Sequence, residues 1–563
     1  MSGPRQIVLQ RFLLLRAPRA LLTICPLFAC SADASRLTVR AAEHRDTSPA
    51  LEWMVAGAVE VPDPECPAGG ECLAPDSENL ASEAGSGDTQ TTGSVQDSPM
   101  QRVEQRAHGR RPPLPVLESF DGLGVGFTGT NPPALRNPSD NSLAVGPDHI
   151  VQTVNSRLAV FTKRGARFDT TGVVLYGAIA TNIVFSGFGG ACEQRLSGDA
   201  VVRYDQLANR WLFVLPIFSR PPGQPNGDFS MCYAVSEGSD PLGRYHRYEY
   251  RRPLFPDYPR PAIWRDGYYV STSTGDDVIQ KHACVAERDS MLVGAPAREQ
   301  CLIIDGVNFL NNADIDGYAL PPKGAPNPML AAGGTQLKGD VDDDGLYAWK
   351  FHVDWADTSR TRVTGPVKLP VAPYAYMCGG QLTNCVPQSG TDRRLDSQGD
   401  KIMTRLTYRN VDGRESMVAQ HSVNTTSGQG GVRWYELTIG ASRELTVAQQ
   451  GTFAPDTAWR WMASGAMDRV GNIVFGYSYG SAREYPGQRL AGRVSTDPPG
   501  TLGFHETQVV RGEGAQRSTL RWQDYTMMAM DPDDCRFWYV GDYFKEGATA
   551  YSTRIAATRV AGC

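Results

Sequence analysis

Five aspartates occupy similar places in the chain, each just before a short apolar run of the kind that forms a β-strand. They are Asp140, Asp199, Asp257, Asp400 and Asp524. Carboxyl groups that lie close together have separated pKa values, so that one can donate a proton while another stays ionised. Glycoside hydrolysis uses such a pair. We therefore predict that the last four are catalytic and that Asp140 binds substrate; the alternative is that all five cap turns by accepting backbone N–H groups.

Basic and aromatic side chains near the same strand starts could bind the substrate. A guanidinium can hold a carboxylate, sulfate or phosphate through two parallel hydrogen bonds, or it can pair with a neighbouring aspartate. The substrate-binding candidates are Arg405, Arg433, Tyr435, Arg521 and Tyr525. Glu436 is an alternative catalytic acid or nucleophile. Four tryptophans could stack on sugar faces or pack between sheets: Trp264, Trp434, Trp461 and Trp522.

The acidic run at 340–344 resembles the start of a calcium-binding loop. Asp340, Asp342 and Asp344 alternate and Gly345 follows them, and carboxylate oxygens at alternate positions suit Ca²⁺. Position twelve of such a loop needs an acidic ligand and is Phe351 here, so the run is not an EF-hand. It predicts either a calcium site of another kind or an exposed acidic turn, and no other cofactor is expected because nucleotide-binding fingerprints are missing from the sequence.

The elements that would position these residues are short strands repeating about every 60 residues. Asp140 and Asp199 are 59 residues apart, and Asp199 and Asp257 are 58 apart. The longer gap to Asp400 fits two units and an insertion, with a unit starting near Asp340. Four strands per unit of this length indicate a β-propeller. We predict an all-β fold with seven blades, with six blades as the alternative count and a β-sandwich pair or a β-helix as competing folds.

The N-terminal part reads as an export signal followed by a linker. Residues 1–30 combine arginines with an apolar stretch too short to span a bilayer, and Cys30 ends a lipobox-like motif that could carry a lipid anchor. Residues 31–114 lack periodic apolar pattern and predict a disordered linker. Residues 115–563 then form the propeller domain. The protein is expected to be secreted or at the cell surface, with an outer-membrane lipoprotein as one form.

The cysteines and the charge agree with an extracellular protein. Ten cysteines follow the signal segment, and an even number in an oxidising compartment predicts disulfides. Pairing of sequence neighbours gives Cys66–Cys72, Cys192–Cys232, Cys284–Cys301, Cys378–Cys385 and Cys535–Cys563. The 55 basic and 61 acidic residues leave a net charge of −6, which argues against a nucleic-acid partner.

Four segments of the C-terminal half carry a family resemblance. They are LDSQGDKIMTRLTYR at 395–409, GVRWYEL at 431–437, WMASGAMDRVGN at 461–472 and RWQDYTMMAMDPDDCRFWY at 521–539. Together they resemble a group of secreted bacterial sialidase-like β-propeller proteins. The resemblance implies a propeller from about residue 135 onward and a glycan partner. It transfers no catalytic residue, since the Ser-x-Asp-x-Gly-x-Thr-Trp boxes of true sialidases are missing from the sequence.

These observations give one functional hypothesis and one alternative. The first is an exported propeller that acts on an extracellular polysaccharide or glycoprotein by hydrolysis or elimination, at an acidic pocket on the propeller axis. The alternative is a propeller at the cell surface that binds a glycan or protein without catalysis, because propellers host many functions. The expected partner is an extracellular polysaccharide or glycoprotein, the expected state is a monomer, and any membrane contact would be made through a lipid on Cys30.

Overall fold

The structure is a computed structural model that describes residues 37–54, 100–129, 135–218, 229–273, 280–306, 309–333, 345–379 and 384–563. Four strands come first in the chain: β1 (Thr38–Ala41), β2 (His44–Thr47), β3 (Glu104–Gln105) and β4 (Val116–Asp121). All four add to the outer edges of sheets formed by later parts of the chain, because β1 pairs with residues 298–301, β2 with 246–249, β3 with 452–453 and β4 with 554–558.

Most other strands belong to successive antiparallel meanders, of which seven lie in the described ranges. The first three are β5 (Ser142–Val145), β6 (His149–Val154), β7 (Arg157–Thr162), β8 (Val174–Ala180); β9 (Val201–Asp205), β10 (Arg210–Ile217), β11 (Phe229–Ser236), β12 (Tyr245–Arg252); and β13 (Asp257–Ile263), β14 (Tyr268–Ser273), β15 (Gln280–Ala286), β16 (Arg298–Asp305). Two short helices, α1 (Gly190–Gln194) and α2 (Arg288–Met291), lie in their connections.

The fourth and fifth meanders are joined into one sheet. Their strands are β17 (Asn311–Ile315), β18 (Asn327–Gly333), β19 (Gly345–His352), β20 (Arg362–Leu369), then β24 (Leu406–Val411), β25 (Arg414–Asn424), β26 (Gly430–Ile439), β27 (Leu445–Phe453). Between them come β21 (Ala375–Tyr376) and a hairpin of β22 (Asn384–Gln388) and β23 (Thr391–Asp396). The fourth meander thus starts at Asn311 and not near Asp340. An apolar run in the sequence predicts a strand, but it does not show whether that strand is the first or a later one of its meander.

The last two meanders complete the series. They are β28 (Trp459–Met467), β29 (Ile473–Ser481), β30 (Glu484–Arg493), β31 (Thr507–Val510), and β32 (Met527–Met530), β33 (Arg536–Tyr543), β34 (Ser552–Arg559), with β4 as the outer strand. Short 3-10 helices at Leu51–Trp53, Gln101–Val103, Thr181–Phe185, Thr358–Arg360 and Met377–Gly379 fill some of the connections.

The first strands of the meanders contact one another in sequence order. Strand β5 contacts β9, β9 contacts β13, β13 contacts β17, β17 pairs in parallel with β24, β24 contacts β28, and β28 contacts β32. Strand β32 in turn contacts β5, so the order returns to its beginning. We call these seven strands the inner circle. A circle of first strands with the rest of each meander outside it is the arrangement of a β-propeller.

The core lies between neighbouring meanders. In one cluster Leu158 and Val160 of β7 pack with Phe213 and Leu215 of β10. Each sheet is therefore covered on both faces, which explains the nearly continuous apolar runs along strands such as β10. The four candidate tryptophans (Trp264, Trp434, Trp461 and Trp522) are at most 1% exposed, so they serve packing and not sugar stacking.

Four disulfides confirm the pairing of sequence neighbours. The structure contains Cys192–Cys232, Cys284–Cys301, Cys378–Cys385 and Cys535–Cys563, and these bonds indicate an oxidising compartment. The fifth expected pair, Cys66–Cys72, lies outside the described residues, as does the segment 1–30 with Cys30. Within the described ranges no helix has the length and apolar character needed to cross a membrane.

The segment expected to be a disordered linker differs from that expectation where the structure describes it. Residues 37–54 and 100–114 contain β1, β2 and β3, and Leu51 and Leu114 are buried in the core. The sequence pattern is misleading here because an edge strand needs few apolar residues when its partner strand supplies most of the buried surface. The remainder of the predicted linker, 55–99, lies outside the described residues.

Candidate functional site

A shared backbone conformation marks the start of the inner strands. In five of the seven meanders, a residue up to three positions before the first strand, or within its first four positions, has a positive φ angle: 47° at Asp140, 53° at Asp199, 52° at Tyr258, 47° at Met462 and 53° at Asp524. Residues other than glycine rarely adopt this conformation, and where they do so the surrounding structure must hold them. The repeated conformation therefore falls on Tyr258 in the third meander and on Met462 in the sixth, and not on the polar residues next to them.

Hydrogen bonds between different meanders place four of these starts at one end of the inner circle. The backbone N–H of Asp140 donates to the carbonyl of Gln523 over 3.0 Å, and the Tyr525 hydroxyl donates to Oδ2 of Asp199 over 2.8 Å. The Tyr258 hydroxyl donates to the carbonyl of Asp524, and the rings of Tyr258 and Tyr525 stack with centroids 4.1 Å apart. The first, second, third and seventh meanders thus meet here, at what we call the mouth.

Two carboxyl groups at the mouth hold their protons more tightly than ordinary aspartates. Burial raises the pKa of Asp140 well above its usual range, and the charges of Asp199 and Asp524 raise it further. Burial also raises the pKa of Asp199 from 3.8 to about 6, opposed by the hydrogen bond from Tyr525. Asp140 is 2% exposed, whereas Asp199 is half-buried and can meet solvent. Asp199 is consequently the better placed of the two to exchange a proton with a ligand.

Asp524 and Asp396 share a guanidinium. Arg521 donates to Asp524, and its Nε lies 3.4 Å from Oδ2 of Asp396. The backbone N–H of Trp522 donates to the other oxygen of Asp396 over 2.9 Å. Burial raises the pKa of Asp396 to about 8, and the charge of Asp524 adds to this while Arg521 opposes it. The Arg521 side chain is 22% exposed, so it is the cation of this group that reaches the surface.

Asp257 and Asp400 lie at the same end of the inner circle. Asp257 is half-buried, and its Oδ1 accepts the N–H of Tyr258 over 2.9 Å, which is the turn-capping role weighed from the sequence. Burial raises the pKa of the Tyr525 and Tyr258 hydroxyls, and the charges of Asp257, on Tyr525, and of Asp400, on Tyr258, raise it further. All five aspartates singled out by their spacing therefore converge on the mouth, while their chemical roles stay predictions.

Three other candidates lie away from the mouth, on β26, the third strand of the fifth meander. Arg433 donates to Oγ1 of Thr452 over 3.1 Å, and the Tyr435 hydroxyl lies 2.9 Å from His421. Glu436 accepts a bond from Arg414 over 2.9 Å. The expectation that Arg433, Tyr435 and Glu436 lie near strand starts of the inner circle is wrong. The first strand of a meander belongs to the inner circle, whereas the third strand, which carries these residues, lies farther from the axis.

Arg405 is buried in a network of ion pairs between inner strands. Its Nε lies 2.6 Å from Asp314, its Nη2 lies 2.5 Å from Asp316, and its Nη1 donates to the carbonyl of Met528 over 3.0 Å. Arg203 also pairs with Asp314. Every nitrogen of the Arg405 guanidinium has a protein partner, so this residue ties meanders together and is not placed to bind a substrate.

Metal binding is not supported by the clusters that the structure describes. In one, Cys284 and Cys301 beside His282 are joined in a disulfide. In the other, which contains His108, both carboxylates (Asp456 and Glu506) are bonded to Arg460. The calcium candidates Asp340, Asp342 and Asp344 lie outside the described residues.

Sequence reasoning missed several residues of the mouth. Asn155 donates to Oδ2 of Asp140 over 2.7 Å, and Gln398 donates to Oδ1 of Asp524 over 3.3 Å. Asp396 and Lys401 also belong to this group. The signal was available for three of them, because Asp396, Gln398 and Lys401 stand within four residues of Asp400 in one polar segment.

Comparison with known proteins finds weak similarity in sequence and structure. No protein-family model matches the chain, and no curated protein matches its sequence. A subtype N10 neuraminidase-like protein of A/little yellow-shouldered bat/Guatemala/060/2010 is 12% identical with a TM-score of 0.30, covering 63% of this chain and 95% of its own. The WD40 domain of SCAP from fission yeast is 9% identical with a TM-score of 0.30, covering 80% and 93%.

A third solved structure, an endo-1,5-alpha-L-arabinanase from Thermotoga petrophila RKU-1, is 9% identical with a TM-score of 0.24, covering 75% of this chain and 98% of its own. The structural neighbours are propellers. At such low TM-scores they assign neither a family nor an activity to the chain.

Proposed function

We propose that the chain is an exported, seven-bladed β-propeller that hydrolyses glycosidic bonds of an extracellular glycan at the mouth. The seven meanders would be its blades, and residues 1–30 would direct export. The observation that carries the proposal is that Asp199, whose pKa is raised to about 6, lies near Asp524, which is paired with the partly exposed Arg521. Glycoside hydrolysis uses two neighbouring carboxyl groups, one of which has a raised pKa and acts as the acid.

The proposed reaction assigns one role to each carboxyl group. Asp199 donates its proton to the leaving oxygen as the bond from that oxygen to the anomeric carbon breaks. The carboxylate of Asp524 faces the positive charge that develops on the sugar ring. Water supplies the hydroxyl group to the anomeric carbon and returns a proton to the carboxyl pair, so the net reaction consumes one water. Tyr525 orients Asp199 through its hydrogen bond.

The test is a screen of the secreted protein against polysaccharides and chromogenic glycosides, with Asp199→Asn and Asp524→Asn as variants. Each substitution keeps the shape of the side chain and should lower the rate by about 100-fold or more, as expected for loss of a general acid or its partner. Glu436→Gln is the matched control, because it makes the same chemical change away from the mouth and should leave the rate within about twofold. Equal rates in all four proteins would contradict the proposed roles.

A binding propeller without catalysis is the second candidate, favoured by one observation. Asp396 is fully buried, and one of its oxygens accepts the backbone N–H of Trp522, so this carboxyl group supports a strand start. If all the carboxyl groups at the mouth only support strand starts, the wild-type protein would bind a glycan in the screen and release no product. Binding of that glycan should then survive Asp199→Asn, which keeps the hydrogen bond from Tyr525.

A further inference from the structure

Two half-buried aromatic rings stack on each other at the end of the second meander. Phe218 directly follows β10, and Phe255 lies in the connection from β12 to β13. Their ring centroids are 4.6 Å apart and their planes are inclined by 19°. The buried ring of Phe229 meets Phe255 nearly at right angles, with centroids 5.5 Å apart, and so holds the stack in place. We call Phe218 and Phe255 the phenylalanine pair.

The direction of the strands explains why both rings lie at the end of the inner circle that carries the mouth. Strand β9 begins at the mouth and runs away from it, so the antiparallel β10 returns toward the mouth and ends just before Phe218. In the same way β11 runs away and β12 returns, so the connection that carries Phe255 starts at this end. The phenylalanine pair and the aspartates therefore share one end of the molecule.

The pair adjoins two of the aspartates of the mouth. The backbone N–H of Phe218 donates to Oγ of Ser197 over 3.2 Å, and Ser197 stands two residues before Asp199. Phe255 likewise stands two residues before Asp257. Because Cα atoms two residues apart are separated by at most about 7 Å, the phenylalanine pair lies beside the proposed proton donor, Asp199.

The exposure of the two rings suits a sugar ligand. The four candidate tryptophans are at most 1% exposed, whereas Phe218 and Phe255 are half-buried and keep apolar surface in contact with solvent beside a group of carboxyls. A pyranose sugar carries hydroxyl groups around its edge and an apolar face of C–H bonds. Burial of that face against a ring is favourable, and aromatic side chains lose little freedom on binding because they have only two torsions.

We propose that the phenylalanine pair is a sugar-binding subsite that stacks against the apolar face of a pyranose residue beside Asp199. This rests on the proposed function of the mouth and names the class of its substrate, a glycan built from pyranose sugars. The hydroxyl groups of the bound residue point toward the carboxyl groups of the mouth, while its C–H face covers the exposed part of the rings. A furanose sugar lacks a flat apolar face of this kind and gains less from the same rings.

The experiment measures equilibrium binding by calorimetry in protein carrying Asp199→Asn, so that turnover does not interfere. The probes are galactotetraose and cellotetraose, which are built from pyranose rings, and an arabinofuranose tetramer of equal length. We expect at least one pyranose probe to bind about tenfold more tightly than the furanose probe, which corresponds to about 1.4 kcal/mol. The proposal is overturned if neither pyranose probe binds more tightly than the furanose probe.

Substitutions of Phe218 locate the subsite. Phe218→Leu keeps most of the apolar volume and removes the flat ring, so it should weaken binding of the pyranose probe by about tenfold. Phe218→Tyr keeps the ring and should bind within about twofold of the parent protein. Phe168→Leu is the matched control, because Phe168 is also half-buried but lies in the connection from β7 to β8, at the opposite end of its meander. It should leave binding unchanged.

Thermal unfolding of the same variants separates binding from packing. If Phe218→Leu lowers the melting temperature and leaves the affinity for the pyranose probe unchanged, the ring serves only the folded framework and the proposal is wrong.

The outcome is also separable from that of the hydrolysis screen. Preferential binding of a pyranose probe that depends on Phe218 supports the subsite even if the wild-type protein cleaves nothing. Hydrolysis of furanose glycans alone, in a manner that depends on Asp199, would instead support the catalytic roles and overturn the pyranose subsite.

Discussion

Replacing Asp199 with asparagine should change how the stability of the protein depends on pH. Folding raises the pKa of this carboxyl group from 3.8 to about 6, so between those values the folded state holds a proton that the unfolded state has released. Raising the pH therefore favours unfolding, and the wild-type protein loses stability that was fully present below about pH 4. In Asp199→Asn this loss disappears, because the amide does not titrate.

The size of the effect follows from the shift. About two pKa units correspond to roughly 3 kcal/mol, and screening by solvent at this half-buried side chain reduces the expected value to about 1–3 kcal/mol. The free energy of unfolding of Asp199→Asn, relative to the wild type, should rise by this amount between pH 4 and pH 7. The side chain of asparagine can still accept the Tyr525 hydroxyl, so the hydrogen bond is kept in the comparison.

The measurement is urea unfolding with disulfides intact, at pH 4, 5, 6 and 7. Asp392→Asn is the matched control, because it makes the same chemical change at an exposed side chain on β23. A constant difference between Asp199→Asn and the wild type would refute the raised pKa. The proposed role of Asp199 as proton donor would lose its physical basis with it.

Three further predictions concern catalysis and stability. With Asp199 as proton donor, the rate of glycan hydrolysis should fall about tenfold per pH unit above pH 6, and a pH profile that is flat up to pH 8 would speak against this role. Arg405→Met should lower the free energy of unfolding by about 3–5 kcal/mol, because it removes the ion pair of the buried Asp316 and one of the two cations beside Asp314; an unchanged urea midpoint would disprove the ion-pair network. Replacing Cys192 and Cys232 together with serine should cost about 2–4 kcal/mol, measured by the same unfolding assay, and a loss below about 0.5 kcal/mol would be unexpected for a bond closing a loop between residues 40 apart.

The amino-acid sequence determined the repeating unit and the disulfides. The spacing of Asp140, Asp199 and Asp257 reports the length of one meander, because each unit must cross the same sheet four times before the chain returns to the inner circle. The four described disulfides join cysteines that are neighbours in sequence. Both features are local along the chain, so a linear pattern is sufficient to predict them.

The tertiary structure decided which polar residues meet. Glu436 and Asp524 both stand in or beside an apolar strand, yet one lies on the third strand of a meander and the other at the start of a first strand. Arg405 follows the same polar segment as Asp400, but it turns toward Asp314 and Asp316 in the interior. Arg260 and Lys401, whose cations both lie over the ring of Tyr258, come from segments about 140 residues apart. Such groupings depend on how the meanders close into a circle, and contacts between residues more than a hundred positions apart leave no periodic mark in the sequence.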